Sequence, residues 1–128
     1  MHVQIYTDAS YHPQEVDGSC GIVIFGNQSY IASFALYFQD VNSALTAELI
    51  AINTAIDYVR RNIEGIESIH LVTDSSRAAR IWNGRAKDDP NISITWLRGH
   101  SKIFNPNNLA DRLAALSYTL KESVWYTA

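Results

Sequence analysis

The chain has one cysteine, one methionine and three prolines among its 128 residues. It also lacks any apolar run approaching the roughly 20 residues that cross a bilayer as a helix. A single thiol closes no internal disulfide, and nothing around Cys20 in "GSCGIVIF" suggests a lowered thiol pKa, so it is expected to be a packed structural residue. The opening "MHVQIYTD" has no basic stretch followed by an apolar one, the pattern of a secretory leader, which makes the cytoplasm the expected location, with no membrane partner. An excess of positive charge is missing too: the formal net charge is −3, so the whole-chain field does not advertise a polyanion partner. Carboxylates gathered into a metal cradle would account for several negative charges by themselves. With 47% hydrophobic and 18% charged residues, and no repeat, low-complexity tract or linker, the composition fits one folded domain spanning 1–128.

Alternating apolar residues predict strands at 2–8, 20–26 and 29–38; in "SYIASFALYF" Tyr30, Ala32, Phe34, Leu36 and Phe38 share a face, and the Gly26-Asn27 break suits a hairpin. From about residue 43 the period becomes helical, with Leu45, Leu49, Ile52, Ile56 and Val59 recurring as far as Arg61 and Gly65 beyond the end. A strand at 67–73, a short helix at 75–84, a strand at 92–97 and a helix at 107–122 complete the order β-β-β-α-β-α-β-α. That order implies an α/β fold: a five-stranded mixed sheet, three antiparallel strands then two parallel ones, with helices against it.

Two apolar segments end alike, in "IYTDAS" and "LVTDSS". If the fourth strand lies parallel to and beside the first, Asp8 and Asp74 share one rim, where ligands of open α/β sheets bind. Glu48 is the third informative acid. On the helical wheel it falls between Val59 and Ala55, in the arc that should face the sheet. An unpaired carboxylate there loses several kcal/mol in desolvation, so it wants a cation, an arginine or a proton. Arg60 and Arg61 project far from it on the wheel. Asp111 is weaker: periodicity alone leaves it an acid in a first turn, which the helix dipole favours anyway. An oxygen-only set of this kind suits Mg²⁺ or Mn²⁺ rather than zinc.

In order, "IYTDAS", "TAELIAINTAI", "LVTDSS", "TWLRGHS" and "NNLADRLA" resemble the successive motifs of the type 1 ribonuclease H family, covering nearly the whole chain. The resemblance implies a ribonuclease H-like fold with helices on both faces of the sheet. It implies a monomeric endoribonuclease that hydrolyses the RNA strand of RNA–DNA hybrids with two Mg²⁺ (or Mn²⁺) ions. It matches Asp8, Glu48, Asp74 and Asp111 to four metal-binding carboxylates. His100 matches the flexible-loop histidine that assists proton transfer or product release, a role suited to a group titrating near neutrality. Two alternatives stay open: a non-catalytic nucleic-acid-binding module of the same fold, and a same-fold nuclease acting on another nucleic acid.

The sequence also departs from its relatives. Ala44 and Leu45 stand where amides are common before the helix glutamate, and Ser76 stands two residues past Asp74, where another amide is common. Ser10, Gln14, Ser75, Ser76 and Asn107 are the candidate polar contacts to substrate. Between the short second helix and the next strand only "RAKDDPN" intervenes, leaving no room for the extra helix and basic protrusion of many relatives. Grip on the phosphates then falls to Arg77, Arg80, Arg85, Lys87, Arg98 and Lys102, so binding is expected to be weak and salt-dependent. Trp82 is a possible stacking surface, although both it and Trp96 suit a core. His2, His12 and His70 match no motif and read as structural or surface residues.

Overall fold

The computed structural model describes residues 1–85, 89, 91–97 and 106–127. The elements are β1 (His2–His12), β2 (Asp17–Gly26), β3 (Ser29–Gln39), α1 (Ala44–Asn62), β4 (Ser68–Thr73), α2 (Ser76–Arg85), β5 (Ile92–Trp96), α3 (Pro106–Leu120) and β6 (Val124–Thr127). They build one sheet in the order β5-β4-β1-β2-β3-β6. β4 pairs parallel to β1 and β5 parallel to β4, while β2, β3 and β6 run antiparallel to their neighbours.

The sheet therefore has six strands, not five. β6 is four residues long and mostly exposed, so it carries no readable alternation, and its place is set by pairing with Ala32–Ala35 of β3. A second difference is the length of β1, which runs on past Asp8 to His12. Its pairing with β2 continues through Asp8↔Gly21 to His12↔Asp17, whereas its pairing with β4 stops at Thr7↔Thr73. The polar tail of β1 is thus held on one side only.

Local chemistry sets the joints. Asn27 and Gln28, with φ of 47° and 70°, form the two-residue β2–β3 loop; positive φ at both positions matches the twist of an antiparallel hairpin. Ser43 caps α1 by accepting the Thr46 N–H at 3.0 Å, and Arg60 and Arg61 in its last turn complement the helix dipole. Ser75 caps α2 in the same way, accepting the Ala78 N–H at 3.2 Å.

Alternation along the strands separates two cores. On one face Val3, Ile5, Ile22, Ile24, Phe34 and Leu71 pack against Ala51, Ile52, Ala55, Ile56 and Val59 of α1 and Ala78 and Ala79 of α2. On the other, Val23 and Ala35 meet Ala110 and Leu113 of α3. Helices cover both faces, as the resemblance implied. Each fully buried aliphatic side chain stabilises the fold by about 1.5–3 kcal/mol, and the first core is much the larger. Among the described residues no helix is long and apolar enough to cross a membrane.

Candidate active site

The end of β4 creates the site. Past Thr7 the edge of β1 facing β4 has no strand partner, and Asp74 is the residue immediately after β4. Glu48, on the first turns of α1, reaches into this gap, and the Ala9 N–H donates to its carboxylate. A backbone donor freed by the end of the parallel pairing thus orients the glutamate. One carboxylate oxygen from each of Asp8, Glu48 and Asp74 lies within 4.8 Å of the other two. The arginines that might have neutralised Glu48 are engaged elsewhere: Arg60 pairs with Asp89, and Arg61 with Asp57 at 3.1 Å.

Asp111 arrives from the opposite face. Gly21 faces Asp8 in the β1–β2 pairing, and α3 crosses it so closely that a Cβ there would stand 1.8 Å from the Ala110 carbonyl oxygen. The absent side chain lets the helix backbone approach, and the next residue, Asp111, comes within hydrogen-bonding reach of Asp8. Asp111 itself is exposed and outside the three-oxygen group. Ser117 tethers the same helix by donating to the Leu36 carbonyl at 2.9 Å.

Packing four acids together has an electrostatic consequence. Burial first, then the hydrogen bond with Asp111 and the charge of Asp74, push the Asp8 carboxyl up to about 9. Burial and the charge of Asp74 push Glu48 up to about 8, against the pull of the Ala9 N–H. Both shifts favour the protonated forms. Glu48 Oε2 and Asp74 Oδ1 are buried without a hydrogen-bond partner among the described residues. Buried, unpaired, oxygen-only donors converging on one point fit hard divalent cations.

Of the other residues singled out from the sequence, Ser10 is half-buried on β1, two positions beyond Asp8 on the same face, and Gln14 is exposed in the β1–β2 turn. Ser75 and Ser76 begin α2 directly after Asp74. Arg77 and Arg80 are exposed on α2 and line an open groove with Ile81. His100, Lys102, Arg98 and Lys87, and the side chains of Arg85 and Asn107, lie outside the described residues. Cys20 is fully buried, and burial pushes its thiol pKa well up, as expected of a packed residue.

Trp96 departs from the core reading. It is 47% exposed, because β5 is an edge strand and its last residue lies beyond the buried Ile92 and Ile94. Its indole N–H donates to the Asp74 carbonyl at 3.1 Å, a brace on the site that sequence pattern gave no sign of. Trp82 packs against the larger core, its indole N–H donating to Asn53 Oδ1 at 3.1 Å.

A mixed sheet of this strand order, with acids converging where β4 stops beside β1, defines the ribonuclease H-like class. The RNase H family model matches residues 1–87, a stretch that holds Asp8, Glu48 and Asp74. The chain belongs to the ribonuclease H family, and it is a hydrolase of that type. Among curated proteins none matches it by sequence. Among solved structures it is similar to RNase H1 from the archaeon Halobacterium salinarum, with a TM-score of 0.71 and 20% identity over 93% of this chain and 98% of that one. It is also similar to LC11-RNase H1, a protein isolated from compost and solved with an RNA/DNA hybrid (TM-score 0.70, 18% identity, 92% and 99% covered). A third is the N-terminal RNase H domain of Rv2228c from Mycobacterium tuberculosis (0.70, 17%, 90% and 97%). At such identities the likeness carries the fold.

Proposed function

We propose that this chain is a single-domain, cytoplasmic, monomeric endoribonuclease that hydrolyses the RNA strand of RNA–DNA hybrids. The observation that carries the reading is the convergence of Asp8, Glu48 and Asp74 from three separate elements, with buried, unpartnered oxygens on two of them. A pure binding module gains nothing from clustered negative charge beside phosphates.

Asp8, Glu48, Asp74 and Asp111 would hold two Mg²⁺ (or Mn²⁺) ions, with Asp8 central because it interacts with each of the other three. Bound there, the cations supply Lewis acidity that spreads the charge of the reacting phosphodiester and eases loss of a proton from water. The protein's share is orientation. The Ala9 N–H fixes Glu48, the Trp96 indole fixes the backbone at Asp74, and α3 delivers Asp111. His100 exchanges a proton with the leaving oxygen or helps release product. Arg77, Arg80 and Lys102 bind the phosphate backbone, while Ser10, Gln14, Ser75, Ser76 and Asn107 make the polar contacts.

The test is cleavage of end-labelled RNA–DNA hybrid, RNA duplex and DNA duplex, each with Mg²⁺, Mn²⁺ or a chelator. Cleavage confined to the hybrid RNA strand, dependent on the metal and abolished in Asp8→Asn and Asp74→Asn, is the expected result. Binding without cleavage under every metal condition makes the chain a binding module; cleavage of either homoduplex reassigns the substrate.

A further inference from the structure

The two segments that end in Thr-Asp use the threonine differently. Thr7 and Thr73 are direct partners in the parallel β1–β4 pairing, and both are fully buried. Each precedes one of the clustered aspartates, Asp8 or Asp74. Thr73 Oγ1 accepts the Ser75 N–H at 3.1 Å, the side chain closing on the backbone two residues further along. Thr7 Oγ1 has no hydrogen-bond partner among the described residues. The corresponding donor on β1, the Ala9 N–H two residues past Thr7, goes to Glu48 instead.

The difference follows from what the backbone must do after each threonine. Asp8 sits inside a strand, where the pairs on either side of it, Thr7↔Ile22 and Ala9↔Cys20, fix its backbone without help. Asp74 lies past the last pairs of β4, Thr7↔Thr73 and Thr73↔Trp96. Three hydrogen bonds take the place of a ladder there. The Thr73 carbonyl accepts the Leu97 N–H at 2.8 Å, and the Asp74 carbonyl accepts the Trp96 indole N–H at 3.1 Å. With the Ser75 N–H on Thr73 Oγ1, the Asp74–Ser75 peptide is gripped at both of its polar ends. A peptide unit is planar, so holding its C=O and its N–H holds its orientation. The planes on either side of Asp74 then set its φ and ψ, which leaves the carboxylate only its side-chain torsions. Asp74 Oδ1 is buried without a donor among the described residues, so its direction comes from the backbone rather than from a hydrogen bond of its own.

We propose that Thr73 is a positioning residue: its hydroxyl, together with the Trp96 indole, locks the Asp74–Ser75 peptide and so aims the Asp74 carboxylate at the point where the three acidic side chains converge. The inference rests on the cation-binding reading of Asp8, Glu48 and Asp74. It gives a task to a hydroxyl outside the three-oxygen group and none to the hydroxyl of its strand partner, although sequence and burial treat the two alike. A carboxylate that is not held beforehand must be ordered when a cation binds, and the entropy lost is taken from affinity.

The test is calorimetric titration with Mn²⁺ alone, without nucleic acid, alongside thermal melts. Thr73→Val keeps the shape of the side chain and removes the acceptor, which releases the Ser75 N–H. Its Mn²⁺ affinity should fall about tenfold, the lower end of what losing an outer partner costs a metal site. Hydrogen exchange at the Ser75 amide should quicken by about the same factor. Thr73→Ser keeps the acceptor and deletes a buried methyl group; it should melt below the native protein and yet bind Mn²⁺ with native affinity. Thr7→Val makes the identical change in the strand partner. It should leave Mn²⁺ affinity as it is and, because it removes a buried unpaired hydroxyl, should not lower Tm. Trp96→Phe frees the same peptide from its carbonyl end at an exposed position, and it should weaken Mn²⁺ binding whether or not Thr73→Val folds.

Mn²⁺ affinity unmoved by Thr73→Val overturns the inference. Affinity that follows Tm through the Thr73 variants, with serine losing as much as valine, also overturns it, because that pattern marks a purely structural residue. An equal loss in Thr7→Val has the same force. Should Thr73→Val fail to fold, native Mn²⁺ binding by Trp96→Phe decides against it. A native protein that takes up no Mn²⁺ refutes the carboxylate reading itself and the inference with it, a result distinct from native and variant proteins that bind equally well.

Discussion

Replacing Gly21 with alanine adds one methyl group at the point where the two halves of the site meet. Built on the backbone, the new Cβ stands 1.8 Å from the Ala110 carbonyl oxygen, 2.6 Å from its carbon and 2.9 Å from its Cα. All three atoms belong to helix backbone, so no flexible side-chain end can yield. To restore a contact of 3.0 Å, α3 must retreat from β2 by about 1.2 Å at this point. Ser117, which donates to the Leu36 carbonyl farther along the helix, resists a rigid shift. Overpacking of this kind costs about 1–3 kcal/mol, and a backbone clash belongs at the upper end. For a domain of this size that lowers Tm by roughly 10 °C.

The functional effect should exceed the loss of stability. Asp111 follows Ala110 directly, and a displacement near 1 Å takes its carboxyl out of the roughly 2.5–3.0 Å range of an O–H···O hydrogen bond with Asp8. Hybrid cleavage at a temperature well below the melting transition should fall at least tenfold, and calorimetric Mg²⁺ titration should show weaker binding. Gly84→Ala is the control, because a Cβ there meets nothing within 4 Å and glycine costs a helix about 0.5–1 kcal/mol relative to alanine. One chemical change should therefore destabilise in β2 and stabilise in α2. A Gly21→Ala protein that melts within 2 °C of the native one and cleaves at the native rate would show that close approach at Gly21 does not place Asp111.

Three further outcomes follow from the same geometry. Asp8 at about 9 and Glu48 at about 8 both lie above the unfolded values near 4. Between those limits the native state holds protons the unfolded chain has released, so these groups lower stability as pH rises. In thermal melts the gap between Tm with Mg²⁺ and Tm with chelator should widen from pH 5 to pH 9, and Asp8→Asn should narrow it; a gap independent of pH contradicts the burial argument. Val16 has φ of 52°, a left-handed conformation that β-branched residues resist, while its carbonyl accepts the Val41 N–H at 3.1 Å. Val16→Asn keeps that bond in a residue tolerant of the conformation and should stabilise by about 1 kcal/mol in urea melts, with no gain arguing against strain there. Finally, with Arg77 and Arg80 among about four phosphate contacts, hybrid affinity should drop roughly a hundredfold between about 50 and 200 mM salt; a flat fluorescence-anisotropy series across that range would exclude phosphate-dominated binding.

What could be read from the sequence was what local periodicity encodes. Strand alternation and the apolar stripe of α1 are near-neighbour patterns, and they pointed to the larger core. They also exposed Glu48, because an acid inside a sheet-facing arc is an inconsistency visible within one helix. Asp111 gave no such sign. It is exposed on α3, and its contact with Asp8 depends on the missing Cβ of a residue 90 positions earlier. β6 was invisible because four residues, three of them exposed, take their conformation from the edge of β3.

The tail of β1 was hidden for a deeper reason, which also explains why the site exists. β1 alternates the buried Val3, Ile5 and Thr7 with the half-buried Gln4 and Tyr6 as far as Thr7, where β4 stops, and then turns polar with Asp8, Ser10 and His12. The polar signal resembles a turn, but β2 keeps pairing through His12↔Asp17 and holds the segment extended. That half-paired stretch presents a free backbone donor to Glu48 and a face on which Asp8, Ser10 and His12 stand in line. Extending β4 by two residues past Thr73 would satisfy the Ala9 N–H with a strand partner, release Glu48 and displace Asp74. The gap is therefore as much a product of where the parallel pairing ends as of the acids that line it.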